Sequence, residues 1–293
     1  MPGQTGTGQI NQVQASVIAP VRYTLEMGTV MERLIRRIPG AQGKDDTFNQ
    51  PKYANLTAYD AVEGTPVSQA QQITDSNVAV SASEVVVDIL LTKKLLRTTN
   101  QRSFRAAGKI MGDAMNRKVD QDLLGLFSGL DTTLGGSSTT AAIGHYLAAV
   151  SRLPGTVQAS EPAPMPYHHV IHGMHFRDIS DDLLSLSSSA LGGTVPFPDG
   201  ASRSILDDYT FARLLGGRVV VDNNMAISST AAYGATFSPE SMLFYDWMGL
   251  ETTITLDPGL RGWRLMIIRD YGFAEYDGTW GYGQHFDTTV PTS

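Results

Sequence analysis

The spacing of apolar positions changes along the chain, and each change marks a different kind of element. The strongest signal runs from about residue 99 to 127, where Phe104, Ala107, Met111, Met115 and Val119 step by three and four residues and so share one face of an α-helix. Arg102, Arg105, Lys109, Asp113, Asn116 and Asp120 step the same way on the opposite face. A helix of about 28 residues spans ~42 Å, more than double the usual length, so it predicts the spine of a domain. Gly125 and Gly129 are its stops.

Before the spine, EVVVDILLTKKLL is rich in β-branched residues and predicts a strand. Residues 1 to about 43 hold few large apolar side chains. They show no clear period until YTLEMGTVMERLIRRIPG, where Leu25, Val30, Leu34 and Ile35 line a short helix ending before Pro39. Such an arm has no core of its own and needs its own subunit's body, or a neighbour's, to lie against. From Lys44 to about Ser83 the text is polar and reads as two strand-like stretches around a turn at Glu63-Gly64-Thr65-Pro66. So many small and polar side chains have little to bury, which predicts a long projecting hairpin.

After the spine, LDTTLGGSSTT marks a boundary, and Thr139 or Thr140 can cap a second helix, TAAIGHYLAAVSRL, ended by Pro154. Element types then alternate: a strand near YHHVIHG, a helix near MHFRDISDDLLSL, a loop, a helix at SILDDYTFARLL and a strand at GRVVVDNN. This predicts an α/β unit over about 134–234. Residues 235–293 read as short strands, with a turn at Asp257-Pro258-Gly259 between two β-rich runs. Since the spine helix lacks a sheet partner, 84–133 and 235–293 are expected to pack together, with the middle unit inserted between them.

Composition adds to this. A chain of 293 residues, 42% apolar and 17% charged, suits about two domains. No run approaches the ~18 uncharged apolar residues of a membrane helix. The opening MPGQTGTGQINQ has neither a basic region nor an apolar core, so secretion is not signalled either. Zero cysteines remove disulfides, thiolate metal sites and cysteine nucleophiles. The net charge of −7 argues against a nucleic-acid binder over its whole surface, but it is unevenly placed. Lys93, Lys94, Arg97, Arg102, Arg105, Lys109, Arg117 and Lys118 face a single acid, Asp113, within 93–118. That stretch lacks the interleaved aromatics of a single-strand binder. It is read either as the polar face of the spine or as a basic face that docks on acidic surfaces of identical neighbours.

Candidate chemistry is sparse. Four of the six histidines, His168, His169, His172 and His175, lie close together, and on a helix His168, His172 and His175 would have ligand-like spacing. Pro164, Pro166 and Gly173, with Val170 and Ile171, favour a strand instead, bearing surface or interface histidines. A zinc-protease motif would want Glu where His169 stands. LGGSSTT and LGGTVPF match no phosphate loop, and no GxSxG turn occurs. The pairs Asp181-Asp182 and Asp207-Asp208 suit solvated helix faces or helix-dipole roles. No catalytic, cofactor or metal residue is assigned.

The order of these parts, and the stretch VVVDILLTKKLLRTTNQRSFRAAGKIMGDAMNRKVDQDLL in particular, resembles the HK97-fold major capsid proteins of tailed bacteriophages, especially the short-tailed ones. The resemblance implies an α+β fold with an N-arm at 1–43, an extended E-loop at 44–83, a peripheral domain at 84–133 and 235–293 with the long spine helix, and an inserted axial domain at 134–234. It also implies a virion shell protein, made in the bacterial host cytoplasm. Copies would self-assemble as pentamers and hexamers into an icosahedral shell around double-stranded DNA, with no cofactor and no membrane. A portal protein, a separate scaffolding protein and a decoration or cement protein are the implied partners. Arg33, Arg36, Arg37, Lys44, Lys93, Lys94, Arg97, Arg102, Arg105 and Lys109 are the expected intersubunit or inward-facing contacts. Some family members crosslink a lysine to an asparagine; Lys44 and Lys52 lie in the E-loop, without a basis for assigning that chemistry. The alternatives are an encapsulin-like compartment shell with the same architecture and, from another class, a histidine-dependent metal hydrolase.

Overall fold

The computed structural model describes residues 30–40, 45–54, 56–60, 63–64, 70–98, 102–155, 161–189, 213–228 and 230–289. The arm enters through a single 3-10 turn, Met31–Arg33, and continues as strand β1 (Arg36–Pro39). Over the described residues 30–39 the expected arm helix is therefore not formed, and its Leu25 lies outside them. Leu34 and Ile35 are buried as anticipated, but the backbone beyond them is captured by sheet pairing, Arg36 to Pro39 lying parallel to residues 243–246. Pro39 suits the end of an edge strand, where its missing N–H is not needed. Gly40 follows because a Cβ there would meet the Trp247 backbone at 2.4 Å.

The hairpin pairs β2 (Thr47–Tyr53) with β3 (Asp75–Ser81) in antiparallel register, and Gly64 turns with φ 79° near its far end. β4 (Ser83–Thr92) stops before the predicted strand does. Thr92 Oγ1 accepts a hydrogen bond from the Leu95 N–H, so Lys93 begins a short helix, α1 (Lys93–Thr98), instead of continuing the strand. The spine helix, α2, runs from Arg102 to Gly125. Met111, Met115, Val119 and Leu123 are buried along one face. Asn116 and Asp120, expected on the solvent face, are buried too. The sheet lies against one side of the helix, and the arm covers the side that Asp120 faces.

Beyond it come β5 (Asp131–Gly135), α3 (Ile143–Arg152), β6 (His168–Ile171) and α4 (Gly173–Ser189). The short strands β7 (Arg213–Leu214), β8 (Gly217–Val221) and β9 (Ile227–Ser228) follow. The predicted helix at SILDDYTFARLL falls mostly outside the described residues, and its Arg213 and Leu214 are strand. The chain continues through β10 (Ala231–Phe237), β11 (Met242–Asp257), β12 (Gly262–Glu275) and β13 (Gly281–Asp287).

Two main sheets result. One is four-stranded in the order β1-β11-β12-β4, with α2 packed on one face through Leu91, Leu95, Met111, Met115, Leu265 and Ile267. The other is seven-stranded, in the order β5-β13-β10-β6-β8-β7 with β9 on β10. The pairing of residues 83–92 with 262–271 supplies the sheet partner the spine helix required. The return of 235–293 is more divided than expected. β13 pairs along its length with β10 and also with β5, so residues 281–287 sit inside the seven-stranded sheet. Phe127 and Phe237, with ring centroids 5.6 Å apart, join the sheets in one core that also holds Met31, Val119, Leu123, Val170, Phe244 and Tyr271. No described helix is long and apolar enough to cross a membrane.

Candidate functional site

The arm is held by charges. Arg269, buried on β12, donates to both oxygens of Glu32 at 3.3 and 2.9 Å and to Asp246 Oδ1 at 3.2 Å, with its guanidinium 5.3 Å from the Phe244 ring centre. Burial alone would lower the Arg269 pKa. The hydrogen bonds and charges of Glu32 and Asp246 outweigh that and raise it. Arg37 closes the group through Glu32, at 3.2 Å, and Asp246. On the other side of the arm, Asp120 accepts the N–H groups of Val30 and Met31 at 3.1 and 3.2 Å, and the Asn224 amide at 3.1 Å. Burial, reinforced by the nearby Asp222 charge, raises the Asp120 pKa to about 6 against the pull of those donors. Sequence reading missed this network. Its signal was charge inside apolar strand text, Asp246 in LFYDW and Arg269 in MIIRDYG.

The hairpin is half anchored and half free. Phe48 and Val80 pack with Leu243 and Tyr245; Tyr245 donates its hydroxyl to Asp45 O, and Lys52 pairs with Asp277. Beyond the paired strands, Gln71 bonds both backbone groups of Thr57, holding the two sides together where no ladder does. In and beside this outer part Tyr53, Leu56, Tyr59 and Ile73 are each more than half exposed. Four large apolar side chains on one projection, left exposed by the described residues, form a surface that gains from burial against another molecule.

The charged residues singled out from sequence divide into groups. Arg36 pairs with Glu240 at 3.0 Å, and Arg37 joins the network above. Arg33, Lys93, Lys94 and Lys109 are exposed, as are Arg117 and Lys118, the latter bonded to Asp122 at 2.6 Å. Ile110 lies among them, also exposed. Lys44 lies outside the described residues, as do the side chains of Arg97, Arg102 and Arg105. The structure thus brings Arg36 and Arg37 to one end of the four-stranded sheet and Lys93 and Lys94 to the start of the spine, but it joins them in no single site.

The histidines are not surface groups. His169, His172 and His175 are buried, and only His168 is partly exposed. His169 bridges Thr236 Oγ1, at 2.8 Å, and Leu214 O, at 3.0 Å; His175 Nε2 lies 3.2 Å from Phe286 O. A strand followed at once by a helix turns them inward, where their rings pack on Tyr146, Phe237 and Phe286. Among the described residues no three His, Asp or Glu side chains have a geometry that could hold a metal ion.

No protein-family model matches the sequence, and no curated protein matches it. Solved structures do. The chain is similar to a structure from Mycobacterium phage Che8 at a TM-score of 0.69 and 17% identity, over 97% of this chain and 96% of that one. It is similar to the head structure of Helicobacter pylori bacteriophage KHP40 at 0.67 and 9%, over 99% and 96%. The mature capsid of bacteriophage PhiM1 gives 0.64 and 11%, over 90% and 88%. At such identities the likeness establishes the fold: an α+β, HK97-like capsid fold that extends over nearly the whole chain.

Proposed function

We propose that this protein is the major capsid protein of a tailed, short-tailed phage, and that copies of it self-assemble into the icosahedral shell enclosing double-stranded DNA. The observation that carries the reading is the match to phage capsid structures over nearly the whole of both chains. The exposed apolar end of the hairpin among the described residues supports it, since a surface of that kind gains from a partner and an identical copy is always present. The role is structural. In this reading 1–43 is the N-arm, 44–83 the E-loop, the four-stranded sheet with the spine helix the peripheral domain, and the seven-stranded unit the axial domain.

The mechanism is geometric. One chain forms both pentamers and hexamers through related contacts, and hairpins that reach onto neighbours add to interfaces beyond the ~2,000 Å² of obligate assemblies. Arg33, Lys93, Lys94, Lys109 and Arg117 supply exposed positive charge for intersubunit or inward-facing contacts, and the acidic remainder of the chain limits adhesion to packaged DNA. The shell forms with a separate scaffolding protein, takes a portal at one vertex and accepts a decoration protein. Electron microscopy of the purified protein, alone and co-expressed with a candidate scaffold, tests this. Closed shells are expected, and monomers persisting under both conditions would overturn it.

A further inference from the structure

All six histidines, His145, His168, His169, His172, His175 and His285, fall in the seven-stranded unit, and two of them start its helices. Neither α3 nor α4 has Ser, Thr, Asp or Asn at its N-cap. Ala142 precedes α3, and His145 Nδ1 accepts the Ala142 N–H at 3.3 Å. His172 precedes α4, and its Nδ1 accepts the Met174 N–H at 3.2 Å. Both bonds need the lone pair of a neutral imidazole. A proton on Nδ1 would turn an acceptor into a donor facing a donor, and would place a cation at the positive end of a helix dipole.

We propose that the seven-stranded unit carries an acid-operated conformational switch, in which protonation of His172 withdraws the acceptor of the Met174 N–H at the start of α4. An alternative partner stands ready for His172. Asp222, buried at the end of β8, interacts electrostatically with it and keeps one carboxylate oxygen, Oδ2, without a hydrogen-bond partner. A charged His172 gains by leaving the helix start for that oxygen, which gives the element two arrangements instead of one loosened state.

The surroundings favour the neutral form at pH 7. His175, in the first turn of α4, uses Nε2 on Phe286 O and leaves Nδ1 buried without a partner. Burial lowers its pKa to about 4; His172 and His285 act in the same direction, and Asp287 opposes them. Burial also lowers His169 to about 4, with the His168 charge adding to it against the Leu214 carbonyl bond, while burial and Arg218 hold His168 down.

Hydrogen exchange of the full chain at about pH 7 and about pH 5, corrected for the intrinsic rate, reads this region by region. Amides of 173–182 are expected to exchange roughly tenfold faster at the lower pH, while those of 107–125 and 242–275 change little. His172→Asn supplies an acceptor that does not titrate and should lessen the excess acceleration of 173–182. Exchange that is unchanged, or accelerated equally everywhere, would overturn the switch, as would a variant whose 173–182 amides are as acid-sensitive as the parent's. Should the variant not fold, the parent's regional comparison decides alone. The outcome is independent of whether shells form.

Discussion

The two sheets of this molecule solve the burial of polar groups in opposite ways. Around the four-stranded sheet and the spine, buried charges are paired: Arg269 with Glu32 and Asp246, and Asp120 with two arm N–H groups. In the seven-stranded unit the buried titratable groups are largely neutral imidazoles serving as hydrogen-bonding spacers. Paired charges tie distant segments firmly over a wide pH range, here an arm to a strand more than 200 residues away. Neutral histidines hold equally well at pH 7 and fail together in acid. The first region is built as framework and the second as the part that can respond.

The largest effect expected is from Arg269→Ala. It takes the buried partner from Glu32 and Asp246 and leaves them the more exposed Arg37, and should cost up to about 3–5 kcal/mol in denaturant unfolding at neutral pH. A loss below about 1 kcal/mol would remove the framework half of the contrast. Acidification should act next, on the other half. His169 and His175 have folded-state pKa values near 4, below the unfolded 6.5. Their stabilising contribution is therefore complete above pH 6.5 and lost as pH falls toward 4, at up to about 3 kcal/mol each. Denaturation curves at about pH 7 and about pH 5 check this, and equal midpoints would contradict it.

Asp120 should respond with the opposite sign. Its folded pKa of about 6 exceeds the unfolded 3.8, so the folded state takes up a proton first and gains stability as pH falls from about 6 to 4. The denaturation midpoint should carry this gain over that window, and Asp120→Asn should flatten it. An undiminished gain in the variant would show that another group carries it. The smallest effect on the single chain is expected from Leu56→Ser with Ile73→Ser. These exposed positions should change the stability of the free subunit by less than about 0.5 kcal/mol, yet reduce assembly measured by sedimentation.

Much of this was legible in the sequence because it rests on period. The Met111, Met115, Val119 face of the spine, the hairpin turn at Gly64 and the Asp257-Pro258-Gly259 turn follow from local spacing and turn chemistry. What escaped depends on partners distant in the chain. Residues 34–39 look helical until residues 243–246 pair with them, and Asp120 looks like a solvent-face residue until the arm covers it. The membership of 281–287 in the seven-stranded sheet follows from pairing with residues far earlier in the chain, which no local pattern encodes. The histidine cluster was visible as a cluster, but its inward orientation needed the strand-to-helix junction at His172–Gly173.

Limited proteolysis across the hairpin, before and after assembly, tests the central claim most directly. If the exposed end bearing Leu56, Tyr59 and Ile73 is the surface by which one copy grips another, a protease should cut within 44–83 in free subunits and fail to do so in assembled shells. Cleavage at the same sites and the same rate in both states would contradict the account.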